Sequence, residues 1–141
     1  MTSTKPPLAF ISYDFKVSED ERVRFVNEVN AAGHGLTVED WSMERRAPRE
    51  DWDKAVHGKI GRADFVIVLV DEGMDTAPVA AELAEARRCN VPFFGVYVGK
   101  AKAGAGLPEG LGANRTIAWD WGRIAAAIGQ VTREGKHHVF R

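Results

Sequence analysis

The sequence lacks the features that mark several specialised classes of protein. Cys89 is the only cysteine in 141 residues, which excludes an internal disulfide and a metal site built from several cysteines. No apolar run reaches the roughly 18 residues that suggest a membrane-spanning helix, and residues 1–7 contain no signal-like apolar stretch. Lys and Arg number 19 against 20 Asp and Glu, a balance that does not favour binding to nucleic acid or to an anionic membrane. We therefore expect a cytoplasmic protein with neither as a partner.

Common phosphate- and metal-binding motifs are missing as well. The sequence contains no Walker loop, and the stretch Gly104–Gly106 does not continue into a dinucleotide fingerprint. The four histidines lie on different predicted elements and do not have the spacing of metal ligands. We expect no metal ion and no resident cofactor.

What is present is an ordinary globular composition, with 45% apolar and 28% charged residues. A chain of this length corresponds to one domain, at about 150 residues per domain. We assign residues 1–7 to an N-terminal extension, residues 8–133 to the domain and residues 134–141 to a C-terminal tail.

Short apolar runs alternate with helical patterns, which predicts an α/β doubly wound fold with a five-stranded parallel sheet. The predicted strands are residues 8–13, 36–40, 64–70, 91–98 and 116–119. The run Phe65–Val70 is apolar throughout and predicts a strand buried on both faces. We expect the strand order 2-1-3-4-5, which places a ligand crevice beyond the carboxyl ends of the first and third strands.

The starts of two helices are predicted from residues that are typical of helix N-termini. Ser18, with a glutamate three residues later, forms a capping box that predicts the start of the first helix. Pro78 suits the first turn of a later helix, which we expect to run to Cys89 with Thr76 or Ala77 as its N-cap.

This later helix carries two glutamates with different predicted orientations. Its apolar stripe is formed by Val79, Leu83 and Ala86. Glu82 lies about 65° from the centre of the stripe and Glu85 about 125° away, counted at about 100° per residue. We therefore expect Glu82 at the border of the packed face and Glu85 in solvent. A border carboxylate near the start of a helix can be partly desolvated and stay ionised, which makes Glu82 a candidate functional group. The alternative is a surface glutamate paired with an arginine.

The segment Trp41–Arg49 combines a tryptophan with several charged residues. Trp41 could stack on a nucleotide base, and Arg45 could hold a pyrophosphate. The alternative is a solvated turn whose tryptophan covers the edge of the sheet.

Asp71 follows the third predicted strand, where a response regulator carries its phosphoacceptor. That chemistry also needs an acidic pair after the first strand and a lysine after the fifth. Asp14 supplies only one acid, and the fifth strand ends in residues 118–120, Ala-Trp-Asp. The pattern gives little support to a phosphoacceptor.

Several motifs, in order along the chain, resemble those of TIR domains. Ala9–Asp14 (AFISYD) resembles the first box of that family, and Val38–Ser42 (VEDWS) is similar to the TIR-like branch of bacterial Thoeris anti-phage systems. Asp64–Val70 resembles the apolar third strand of the family. Glu82 and the following strand Val91–Val96 resemble its glutamate-bearing helix and fourth strand. The resemblance extends over nearly the whole predicted domain.

The resemblance to TIR domains implies a flavodoxin-like fold and, for enzymatic members, cleavage of the nicotinamide–ribose bond of NAD+. Glu82 corresponds to the catalytic glutamate of the family, and NAD+ is then a substrate rather than a cofactor. Thoeris-type members make a cyclic ADP-ribose signal that activates a separate effector, and we also expect a homo-oligomer. We assign substrate binding to seven residues: Phe10, Ser12, Tyr13, Asp14, Trp41, Arg45 and Asp71.

One position departs from the family pattern. Many NAD-cleaving TIR domains carry a tryptophan four residues before the glutamate, where this chain has Pro78. Stacking on the substrate would then come from Tyr13, Phe15 or Trp41. Two other functions stay open: an adaptor that self-associates through Trp41–Arg49, and an enzyme of nucleoside deoxyribosyl transfer, which uses a carboxylate on a related fold.

Overall fold

The computed structural model describes residues 8–32, 37–39, 58–99, 101 and 106–134. Its strands are β1 (Leu8–Ser12), β2 (Thr37–Glu39), β3 (Phe65–Val70), β4 (Phe93–Tyr97) and β5 (Thr116–Ala118). Its α-helices are α1 (Phe15–Ala32), α2 (described over residues 58–62), α3 (Thr76–Arg88) and α4 (Trp121–Glu134). A short 3-10 helix, Ala113–Arg115, leads into β5.

The strands of the described residues pair as one parallel sheet in the order β2-β1-β3-β4-β5. At its centre, Ile11 of β1 lies opposite Ile67 of β3, which in turn lies opposite Phe94 of β4. All six residues of β3 are buried, because this strand has a neighbour on each side and helices on both faces of the sheet. The α/β class and the parallel sheet flanked by helices, both predicted from the alternating pattern, are confirmed.

The two faces of the sheet are covered by different helices. On one face, here called the α3 face, strand residues pack against α2 and α3; this cluster includes Phe10, Val66, Val68, Ile60, Val79 and Leu83. On the other, here called the α1 face, they pack against α1 and α4; this cluster includes Ile11, Tyr13, Ile67, Phe25, Val29 and Ile124. Alternate residues of each strand point to opposite faces, so neighbours in β1 belong to different clusters.

Some element boundaries differ from the sequence prediction. Helix α1 begins at Phe15, three residues before Ser18, so the capping box lies inside the helix rather than at its start. Helix α3 is capped by Asp75, whose side chain accepts a hydrogen bond from the backbone N–H of Ala77 at 3.1 Å. The prediction of Thr76 or Ala77 as the cap was therefore wrong, since aspartate is the stronger N-cap.

In the part of the chain that the structure describes, no helix combines the length and apolar character needed to cross a membrane.

Candidate functional site

The centre of the candidate site is a contact between Ser12 and Glu82. Ser12 is the last residue of β1 and Glu82 lies midway along α3. The Ser12 hydroxyl donates a hydrogen bond of 2.6 Å to Oε1 of Glu82. Both side chains are buried, with 0% and 2% of their surface exposed. The structure thus brings together two of the residues that the sequence assigned to the site.

The burial of Glu82 corrects the expectation that it lies at the border of the packed face. Its neighbour Leu83 and the strand residue Phe10 belong to the same buried cluster, so α3 packs against this face of the sheet. Glu82 is carried to the end of β1, where Ser12 meets it. Helical angles alone give the direction of a side chain but not the depth at which a neighbouring strand covers it.

Asp14 lies on the loop after β1 and connects that loop to the start of α3. It is 9% exposed, and its Oδ2 accepts a hydrogen bond of 2.8 Å from the backbone N–H of Asp75. Asp75 is itself the N-cap of α3. Asp14 therefore helps to hold the helix that carries Glu82, a role that the sequence prediction of substrate binding did not include.

Asp71 follows β3 at the same edge of the sheet and is 9% exposed. Its Oδ1 accepts a hydrogen bond of 2.8 Å from the backbone N–H of Glu72. Gly99, after β4, has a φ of +61°, and a Cβ there would lie 2.6 Å from that same oxygen. Only glycine fits this approach without strain, so Gly99 belongs to the site's framework although the sequence prediction missed it.

Tyr13 and Phe10, both assigned to substrate binding from the sequence, lie in different core clusters. Tyr13 packs in the cluster of the α1 face, and its hydroxyl donates a hydrogen bond of 2.7 Å to Glu19. Phe10 is on the α3 face but is fully buried in the core. The alternation of β1 contains the signal that separates them, because Phe10, Ser12 and Asp14 share one phase and Tyr13 has the other.

Three other residues of the sequence prediction cannot be placed. Trp41 and Arg45 lie outside the described residues, and so does the rest of the segment Trp41–Arg49. Phe15 is the first residue of α1, but the structure does not describe its side chain. The source of aromatic stacking therefore stays a prediction.

Glu85 is buried, and the expectation that it faces solvent was wrong. It is 5% exposed and accepts two hydrogen bonds, of 2.8 and 2.5 Å, from the guanidinium of Arg88. Cys89, four residues further along, also donates to it at 3.4 Å and lies 4.0 Å from the position of a Cβ on Gly61. Helix α2 thus lies beside the C-terminal end of α3. The angle of Glu85 relative to the apolar stripe of α3 could not show that a second helix lies there.

The site therefore combines three carboxylates that have different partners. Asp14 and Asp71 accept hydrogen bonds from backbone N–H groups, whereas Glu82 accepts one from a hydroxyl in a dry environment. Charges in a water-poor site act more strongly on a bound ligand than charges in water. The arrangement suits stabilisation of positive charge that develops on a substrate.

Comparison with known proteins identifies similar folds. No protein-family model and no curated protein matches the sequence. A 2-deoxyribosyltransferase from the psychrotolerant bacterium Bacillus psychrosaccharolyticus has a similar structure, with a TM-score of 0.60 and 16% sequence identity, over 84% of this chain and 90% of that one. A prokaryotic SEFIR domain is similar with a TM-score of 0.57 and 17% identity, over 90% of this chain and 96% of that one. At these identities the likeness shows a shared fold.

Proposed function

We propose that the chain is a TIR-like enzyme that cleaves the bond between nicotinamide and ribose in NAD+, with Glu82 as its catalytic carboxylate. The observation that supports this most directly is the buried Ser12–Glu82 hydrogen bond at the carboxyl end of β1. In open α/β sheets, ligands bind beyond the carboxyl ends of the strands, where the strand order reverses. The likeness in fold to the prokaryotic SEFIR domain, a TIR-like fold, is consistent with this proposal.

The proposed reaction breaks the bond between C1′ of the ribose and the pyridinium nitrogen. The electron pair of that bond goes to the nitrogen, so nicotinamide leaves as a neutral molecule and needs no proton from a general acid. The ribose becomes positively charged at C1′, and the carboxylate of Glu82 stabilises this charge. Water then adds to C1′ and releases a proton, which gives ADP-ribose. If water is excluded, a nitrogen or hydroxyl oxygen of the same molecule forms the bond to C1′ instead and a proton is released, which gives a cyclic ADP-ribose.

The burial of Glu82 adds a requirement to this proposal. At 2% exposure, its carboxylate cannot touch a sugar until neighbouring groups move. We propose that a trigger or self-association opens the site, and that a cyclic product made in the cytoplasm then activates a separate effector in anti-phage defence. The resemblance of the sequence to TIR-like proteins of Thoeris systems supports this cellular role.

A second candidate function is nucleoside deoxyribosyl transfer, which the likeness to a 2-deoxyribosyltransferase favours. In that reaction an oxygen of Glu82 bonds to C1′ of the sugar while the bond to the first base breaks, and that base leaves with the electron pair and takes up a proton. A second base then attacks C1′, loses a proton and returns the carboxylate. Both candidate reactions use Glu82 at an N-glycosyl bond, and they differ in whether a cationic nucleotide or a neutral nucleoside is consumed.

The test is to incubate the purified chain with NAD+ and to measure free nicotinamide, and in parallel to measure base exchange with deoxynucleosides. Substitution Glu82→Gln keeps size and hydrogen-bonding capacity but removes the negative charge. We expect a loss of about 100- to 1,000-fold in kcat, the range for removing one electrostatic stabiliser of a transition state. The same substitution in a cell-based phage-defence assay covers the case in which infection is needed to activate the protein.

Glu85→Gln is the matched control, because Glu85 lies one turn further along α3, is also buried and is paired with Arg88. It should keep most of the activity. Equal nicotinamide release by wild type and Glu82→Gln under activating conditions would refute the catalytic role. Base exchange without nicotinamide release would favour the second candidate. If the wild type turns over neither substrate and the Glu82→Gln variant still protects cells from phage, the results would favour a non-catalytic adaptor.

A further inference from the structure

We infer that Ser12 is a positioning residue that acts through Glu82, and that it does not bind substrate as the sequence suggested. This inference rests on the proposed role of Glu82 at an N-glycosyl bond. It concerns how the chain keeps that carboxylate oriented within a buried site.

The surroundings of Ser12 favour an indirect role. Its side chain is fully buried, and its backbone is held in the sheet opposite Val68 of β3. A hydroxyl has one proton to donate, and here that proton is directed to Oε1 of Glu82 at 2.6 Å. A substrate oxygen could receive this proton only if the bond to Glu82 were broken. We therefore assign the hydroxyl to orienting the carboxylate of Glu82 rather than to contacting substrate.

The position of Ser12 in the sheet gives its hydroxyl a fixed location from which to orient Glu82. A glutamate side chain has three rotatable bonds, and ordering it costs conformational entropy. A donor on a rigid strand selects one orientation of the carboxylate before substrate arrives. A displacement of about 1 Å in a reacting group can cost about 100-fold in rate, so the loss of this donor should reduce turnover more than substrate binding.

Stability alone does not account for this pair. Removing one partner of a buried hydrogen bond leaves the other unsatisfied and is costly, whereas replacing both with apolar groups of similar shape can be nearly neutral. Val79 and Leu83, which flank Glu82 in α3, lie in the apolar cluster of the α3 face, so an apolar side chain at position 82 would have apolar neighbours on that side. The polar pair is expected to contribute a charge with a fixed orientation rather than stability.

The experiment compares steady-state nicotinamide release by wild type, Ser12→Ala, Glu82→Gln and the double variant Ser12→Ala/Glu82→Gln. We expect Ser12→Ala to lower kcat by about 10- to 100-fold with KM within about twofold. The double variant should be no slower than Glu82→Gln, because a residue that acts through a carboxylate has nothing to act on after its charge is removed.

Thr116→Val is the matched control for loss of a buried hydroxyl. Thr116 is 8% exposed, and its hydroxyl donates to the backbone oxygen of Gly112 at 3.0 Å, away from the site. Its kcat should stay within about twofold of wild type. A Ser12→Ala variant that raises KM and keeps kcat, or losses that multiply in the double variant, would overturn the inference and assign Ser12 to substrate contact.

Thermal unfolding separates failure of the inference from failure of the proposed function. If wild type cleaves no N-glycosyl bond in NAD+ or nucleosides, the proposed function fails, and melting temperatures still test the coupling. We expect Ser12→Ala to lower Tm by about 5 °C in the wild type, and by less than half of that in the Glu82→Leu background, where the hydroxyl has no carboxylate to bond. Additive decreases in Tm would show that Ser12 does not act through Glu82 and would overturn the inference.

Discussion

On the α3 face of the sheet, Glu82 is 2% exposed and accepts a hydrogen bond from a serine hydroxyl. On the α1 face, Glu28 of α1 is about one-third exposed and joins its helix to the start of α4 and to the residue that follows β5. The side chain of Glu28 is 32% exposed. Its Oε1 accepts hydrogen bonds from the indole N–H of Trp119 at 3.0 Å and of Trp121 at 2.6 Å. Its Oε2 accepts one of 3.0 Å from Arg24.

The surroundings of Glu28 are those of a structural contact. The ring of Phe25 contacts both indoles, with centroid distances of 5.6 Å to Trp119 and 5.1 Å to Trp121. The guanidinium of Arg24 lies 4.7 Å from the Trp119 ring. These contacts fix the junction between β5 and α4 against α1. The packed aromatic rings and the hydrogen bonds to Glu28 together stabilise the contact between this edge of the sheet and α1.

The two carboxylates differ in their exposure and in the donors that the structure shows for them. Glu28 is partly exposed and accepts hydrogen bonds from two indoles and a guanidinium where α1 meets the start of α4. Glu82 is buried and accepts a hydrogen bond from the Ser12 hydroxyl at the carboxyl end of β1, the end of an open α/β sheet at which ligands bind. From this difference we expect Glu28 to support the fold, and we propose the catalytic role for Glu82 alone.

The largest expected effect comes from removing the charge on each face separately. Glu82→Gln should lose about 100- to 1,000-fold in kcat, while Glu28→Gln should keep kcat within about threefold. Nicotinamide release by the two variants, measured side by side under activating conditions, checks this. Similar losses of kcat in both variants would contradict the comparison, because they would show that turnover is as sensitive to a structural carboxylate as to Glu82.

A smaller effect is expected on stability when the acceptor on the α1 face is removed. Glu28→Ala leaves both indole N–H groups without this carboxylate, and hydrogen bonds to charged groups contribute about 1.5–3 kcal/mol each. Because Glu28 is partly hydrated, we expect a loss of about 1.5 kcal/mol in the free energy of unfolding, measured with urea.

The control for that measurement is an exposed ion pair at the start of α4. Arg123 lies 3.9 Å from Asp120, and both side chains are more than half exposed. Arg123→Ala should change the free energy of unfolding by less than about 0.5 kcal/mol. A loss for Glu28→Ala no larger than this would show that the indole contacts do not stabilise the protein.

The sequence predicts the sheet well because its strands carry strong local signals. The apolar run that became β3 has six buried residues, and its continuous character already indicated helices on both faces. The helix ends were predicted less well, since they depend on which of several neighbouring residues caps the helix. Asp75 could have been chosen from its residue type alone.

The candidate site could be predicted only in part. Helical spacing singled out Glu82, and the alternation of β1 could have placed Ser12 on the α3 face and Tyr13 on the α1 face. The burial of Glu85 could not be predicted, because it depends on how α2 packs against α3. The approach of Gly99 to Asp71 likewise depends on two loops that are distant in sequence.

The smallest expected effect is the pH dependence of the Glu28 contact. The hydrogen bond from Trp121, with further contributions from Arg24 and Trp119, lowers the pKa of Glu28 below its usual value of 4.5. The folded protein therefore holds this proton less tightly than the unfolded chain does. The resulting stability is fully present above pH 4.5 and is lost as the pH falls through the lower pKa of the folded state. The difference in free energy of unfolding between wild type and Glu28→Gln should thus shrink on acidification, while the titration of other carboxyl groups cancels in the difference. Urea unfolding of both proteins at pH 7, 5 and 3.5 (roughly spanning the transition) measures this, and a difference that stays constant or grows toward acid pH would contradict the role assigned to the indole hydrogen bonds.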